Sequence, residues 1–105
     1  MQPKNVVAQI ESAMTFGLGA ALIEQITVKD GVVQETNFHQ YQVVRMSDMP
    51  PMDVRVISTD NAPSGIGEAG VPVVAPAIAN AVAQLTGKRL RHLPMTPDRV
   101  KRGLA

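Results

Sequence analysis

Three glycines in six residues, Gly65-Ile66-Gly67-Glu68-Ala69-Gly70, constrain this chain more than any other stretch of it. Neither helix nor strand runs easily through so many residues without a side chain, because each loses much backbone freedom on ordering and packs little in return. The motif therefore reads as a turn, and it divides a strand-like run before it from a helix-like run after it. The same lack of side chains lets backbone approach a ligand closely and leaves Glu68 where few neighbours shield it. That frame suits a general base, and it equally suits an ordinary turn whose glutamate caps the next helix.

The elements on either side follow from periodicity. Residues 3–24 predict a helix, with Val6, Ile10, Ala13, Leu18 and Ala21 on one stripe, Val7, Met14 and Leu22 widening it, and Pro3 in its first turn. Gly17 and Gly19 inside it cost about 1 kcal/mol each against alanine, so this helix is expected to face something tight, another backbone or a ligand. From Glu24 the period changes, and Ile26, Val28, Val32 and Val33 around Asp30-Gly31 signal a hairpin. Short strands are expected at 41–45 and at 53–58, where Val54, Val56 and Ser58 alternate with Asp53, Arg55 and Ile57. Between them Met49-Pro50-Pro51-Met52 blocks pairing, because proline lacks the ladder donor. Beyond Pro76, residues 77–85 predict a helix with Ile78, Val82 and Leu85 on one face and Gly87 as its stop. A short helix follows with Thr96 as cap, Pro97 at its first position and Asp98 in its first turn. The class is α+β: a long N-terminal helix, a β-hairpin, further strands, the glycine turn and a C-terminal helix. With 105 residues and no repeat, the chain reads as one module, 1–105, whose core is aliphatic because there is no Trp, one Tyr and two Phe.

Several chemistries fall away. Gly65, Gly67 and Gly70 fit the G-x-G-x-x-G dinucleotide fingerprint, but no second strand follows the helix, and position 90, where an acidic residue belongs, is Leu. An anion-binding turn at the helix start stays open. His39 and His92 are far apart with no carboxylate pattern around them, so no metal site is assigned, and Met46, Met49 and Met52 read as gap-fillers rather than thioether ligands. Ser64 has no base placed for it. A net charge of +1 gives no reason to expect nucleic acid or a membrane surface; the late basic residues Lys88, Arg89, Arg91, Arg99, Lys101 and Arg102 lack interleaved aromatics and read as a solvated face. There is no signal-peptide order at the start and no membrane-length apolar run, so the cytoplasm is the default compartment; the lack of cysteine excludes disulfides and thiolate metal sites but fits any compartment.

Four segments together resemble one family. They are residues 9–19 (Gln-Ile-Glu-Ser-Ala-Met-Thr-Phe-Gly-Leu-Gly), Asn37-Phe38-His39-Gln40-Tyr41 ahead of residues 45–50 (Arg-Met-Ser-Asp-Met-Pro), residues 63–72 (Pro-Ser-Gly-Ile-Gly-Glu-Ala-Gly-Val-Pro), and residues 75–81 with Thr86-Gly87-Lys88-Arg89. In order and spacing they look like the C-terminal end of the molybdenum hydroxylase large subunit, the family of xanthine dehydrogenases and aldehyde oxidoreductases. The isoquinoline 1-oxidoreductase type of beta subunit is the nearest match in pattern, and the resemblance covers essentially the whole chain.

The resemblance implies a role for particular residues. The family's catalytic glutamate falls on Glu68 and its glycine frame on Gly65 and Gly67. In that family the glutamate takes a proton from a molybdenum-bound hydroxyl, water supplies the oxygen, and the substrate is an N-heteroaromatic or aldehyde. Gln9 falls on a glutamine that contacts the pterin. The implied cofactor is molybdenum with molybdopterin cytosine dinucleotide. The implied partners are the rest of the large subunit and an iron-sulfur small subunit, with the periplasm open to the complete enzyme. Ser12 stands where many relatives carry glycine, and Ala69 where proline often follows the glutamate. Family subunits run to several hundred residues, so the chain is expected to be a C-terminal fragment, a split subunit or a gene remnant, inactive alone. The other reading is a small non-catalytic α+β interaction module that associates with itself.

Overall fold

The computed structural model describes residues 2–105. Helix α1 spans Pro3–Leu22, with Pro3 in its first turn and Gln2 extended ahead of it. It ends two residues before the periodicity does, because the Gly19 carbonyl accepts both the Ile23 and the Glu24 N–H, at 2.9 and 2.8 Å. The Glu24 carboxylate then folds back over Gly19, into space that a side chain there would fill. The tight approach expected of the two helix glycines is present at both. At Gly17 the neighbours are Val74 and the Val71 carbonyl; at Gly19 they are Glu24 and Val44.

Strands β1 (Val28–Lys29) and β2 (Val32–Val33) form an antiparallel hairpin with Val28 opposite Val33 and Lys29 opposite Val32. Asp30 and Gly31 turn it, with φ of 51° and 78°, the two positive values that a tight two-residue hairpin demands. Glu35 ties its open end, accepting the Thr27 N–H at 2.6 Å and the Thr27 hydroxyl at 2.7 Å.

Two expected strands do not form. Residues 41–45 are irregular and lead into one 3-10 turn, Met46–Asp48, held by the Asp48 carboxylate accepting the Arg45 N–H at 2.8 Å. Residues 53–58 have no regular structure either. Their alternation is genuine, but a strand exists only through a ladder, and β1–β2 is the one ladder among the described residues.

Helix α2 covers Val74–Thr86 and begins before Pro76, which is tolerated within the first turn because its missing N–H would have no intrahelical partner there. Gly87, at φ 72°, stops it, and its N–H returns to the Ala83 carbonyl at 2.8 Å. Helix α3, Pro97–Leu104, follows an extended Thr96, whose position is that of a cap but whose hydroxyl makes no capping hydrogen bond. The segment before α3 is pinned to α1 where the Met95 N–H reaches the Ala21 carbonyl.

The fold is α+β, yet the single aliphatic core expected of it is not closed. Among the described residues the buried apolar core is Ala13, Ala21 and Met95, with Pro94 beside Met95, while Phe16, Phe38, Ile57 and Leu85 are exposed. The surface is 8312 Å², against about 5,700 Å² for a compact monomer of this mass. The radius of gyration is 16.7 Å, against about 13 Å for a compact domain of this length.

Candidate functional site

The glycine turn is placed by a crossing of small residues. A side chain at Gly70 would stand 3.0 Å from Ala13 Cβ and 3.7 Å from the Ile10 carbonyl, so the turn ends hard against α1. One turn of α1 further on, Gly17 receives Val71 and Val74. The contact fixes where the turn leaves the helix pair, and α2 starts directly from it: the Val71 N–H donates to the Glu68 carbonyl and the Val74 N–H to the Val71 carbonyl, at 3.0 and 3.3 Å.

Glu68 sits two residues ahead of Gly70, and Gln9 immediately precedes Ile10, so both flank the same crossing. Chain geometry limits their Cα separation to about 19 Å. Both side chains are exposed, and among the described residues neither makes a hydrogen bond or joins the ion pair between Arg55 and Asp53. Gln9 and Glu68 thus flank one crossing, with no hydrogen bond between them.

Gly65 and Gly67 behave differently from Gly70. A Cβ at either meets nothing within 4 Å, and neither has a positive φ, so nothing within this chain demands glycine there. The backbone N–H groups of 64–70 also donate to no acceptor among the described residues. Open space beside unpaired amides is a surface on which an acceptor-rich group, such as a pterin or a phosphate, can be received closely. The residues present therefore fit a cofactor of that kind.

Beside Glu68 lies a feature that the sequence did not assign to the site. Ala69 and Gly70 border an apolar hollow of about 490 Å³ between α1 and α2, floored by Ile10, Met14 and Leu18. Met49 and Met52 also line it, both half-buried. Met46 does not; it is 90% exposed. The three-residue spacing of these methionines was the available signal, but it gave no direction, since nothing in the sequence places that loop over the helix crossing. His39 and His92 are both exposed.

The molybdopterin cofactor-binding domain family matches this chain over residues 1–50. The isoquinoline 1-oxidoreductase subunit beta of Brevundimonas diminuta is 47% identical over 91% of the chain. The membrane-bound aldehyde dehydrogenase [pyrroloquinoline-quinone] of Gluconacetobacter polyoxogenes is 38% identical over 99% of it. The aldehyde oxidoreductase molybdenum-binding subunit PaoC of Escherichia coli K12 is 37% identical over 95%. The chain belongs to the molybdenum hydroxylase large-subunit family, as a segment of such a subunit. It spans 12%, 14% and 15% of the lengths of those three relatives. No helix among the described residues is long and apolar enough to cross a membrane.

Proposed function

We propose that this chain supplies Glu68 as general base to a molybdenum-dependent hydroxylation of an N-heteroaromatic or aldehyde substrate, at a site completed by the rest of a large subunit. The observation that carries the reading is the unencumbered presentation of Glu68: an exposed carboxylate on a turn whose neighbouring glycines face open space and whose amides are unpaired. In this reading Gly65 and Gly67 hold backbone against the cofactor, and the Gln9 amide hydrogen-bonds the pterin. Glu68 takes up, at its carboxylate, the proton released as a water-derived oxygen attacks the substrate carbon. The apolar hollow behind Ala69 gives the turn a dry wall on its inner side. When bound, molybdenum with molybdopterin cytosine dinucleotide supplies the two-electron redox chemistry. An iron-sulfur subunit carries the electrons onward, and the assembly is cytoplasmic unless a leader elsewhere exports it.

The chain alone is inactive in this reading, because it exposes roughly 2,600 Å² more than a compact monomer of its mass and leaves Glu68 open to water. Isolated, that surface has only other copies to cover it, and the chain associates with itself.

The test is Glu68→Gln in the assembled enzyme. Turnover should fall by about 10²–10⁴-fold, the usual weight of a general base, while molybdenum and pterin contents stay at the parent level. Retained turnover would reject the base, and loss of cofactor along with turnover would make Glu68 a structural residue. Release of pyrroloquinoline quinone in place of a pterin would overturn the cofactor assignment.

A further inference from the structure

The segment 53–58 is a strand without a sheet. Val54, Val56 and Ser58 alternate with Asp53, Arg55 and Ile57, yet from residue 50 to residue 70 no backbone N–H donates to a backbone carbonyl of the described residues. Val56 is 45% and Ile57 83% exposed, so apolar side chains on both faces are left in water. Polar backbone of this kind is stable in solution but costly once covered, unless a ladder satisfies it. Covering is required here, since the chain's surplus surface is about three times the ~800 Å² per partner of a standard interface and matches an obligate one.

We infer that residues 53–58 enter a β-sheet of the large-subunit remainder, pairing through their backbone with a strand of that polypeptide. The hairpin β1–β2 cannot serve, being two residues per strand and already closed by Glu35 on Thr27. A remainder is available in relatives of which this chain spans 12–15%. The pairing also has a consequence for the site: Gly70 anchors one end of the glycine turn on α1, and a strand ending at Ser58 anchors the other, so Glu68 is held from both sides. The inference rests on the chain being part of a larger subunit and is independent of the role of Glu68.

The experiment is a proline scan of the chain co-expressed with the remainder of its large subunit, read as affinity of the two polypeptides rather than turnover. Alternate N–H groups of a strand point to opposite edges. Val54→Pro and Val56→Pro therefore test one edge, and Arg55→Pro and Ile57→Pro the other. At least one of these pairs should weaken association tenfold or more, while Val54→Ala and Glu68→Gln leave it within threefold. The circular dichroism of each isolated variant should match the parent, since no backbone hydrogen bond among the described residues is removed; Arg55→Pro gives up only its exposed side-chain pair with Asp53. Association unchanged in all four proline variants overturns the ladder. Loss in Val54→Ala equal to that in Val54→Pro replaces it with side-chain docking, and proline-sensitive dimerisation of the isolated chain makes the occupant a second copy. Turnover lost in Glu68→Gln with association intact would separate the two proposals.

Discussion

Replacing Gly17 with alanine tests how the two longer helices meet. A Cβ built at Gly17 lies 2.6 Å from Val74 Cγ2, 2.8 Å from Val74 Cβ and 2.9 Å from the Val71 carbonyl oxygen. Contact distances for real Cβ atoms begin at 3.0 Å and are comfortable from 3.4 Å, so the start of α2 has to withdraw by roughly 0.5–0.8 Å to regain ordinary van der Waals contact. Rotating Val74 does not suffice, because the carbonyl belongs to the backbone. Two terms then oppose each other. Overpacking of this kind costs about 1–3 kcal/mol, while alanine in place of glycine within a helix returns about 1 kcal/mol. The expected net loss is about 1 kcal/mol, reaching about 2 kcal/mol if α2 cannot slide. For a chain of this size each kcal/mol lowers the melting temperature by about 4–8 °C, which thermal unfolding followed by far-ultraviolet circular dichroism resolves. Gly103→Ala is the control: its Cβ meets only Leu90 Cδ2, at 2.7 Å, the far end of a side chain that can turn away, so this variant should melt at or above the parent. A Gly17→Ala protein melting at or above the parent would refute the crossing as described, since propensity would then be acting unopposed.

Glu35 and Tyr41 give two predictions with opposite pH signs. The Thr27 N–H, and after it the Thr27 hydroxyl, hold the Glu35 carboxylate below its ordinary value of 4.5. The stability it lends the hairpin is therefore complete above that value and is lost as pH falls through the lowered one. An acid titration of the Thr27 amide resonance should show a midpoint below 4.5 that vanishes in Glu35→Gln, and a midpoint at or above 4.5 would contradict the contact. The Tyr41 hydroxyl donates to Glu24 at 2.8 Å, and that hydrogen bond, then desolvation and the nearby charge, push its ionisation above 10.0. Its contribution is present below the ordinary value and disappears as pH rises through the raised one. Because Tyr41 is the one tyrosine, ultraviolet titration of tyrosinate reads it alone. Glu24→Ala should bring the midpoint back toward 10.0, and an unmoved midpoint would reject the pairing.

The sequence was legible wherever a residue's neighbours in the chain decide its conformation. Asp30-Gly31 needs only its own two positive φ values, Gly87 only its left-handed cap, and Pro97 only its place behind Thr96, and all three elements stand where they are expected. Legibility failed where structure depends on what lies across space. The end of α1 moved because Gly19 admits Glu24, a contact no periodicity encodes. Residues 53–58 carry a strand's alternation and have no strand, because alternation specifies which side chains face which way but not who supplies the ladder. The core failed for the same reason: aliphatic residues sufficient for an interior are present, and most remain half-buried or exposed, because composition does not say which surfaces meet. Glu68 stands apart from both groups. A glycine frame can be read from six letters, but Gly65 and Gly67 meet nothing within this chain that requires glycine, whereas Gly70, by its approach to Ala13, does. In the proposed function, a requirement at 65 and 67 comes from the cofactor. Substituting both with alanine should therefore leave the isolated chain's melting temperature unchanged and show its effect only in the assembled protein.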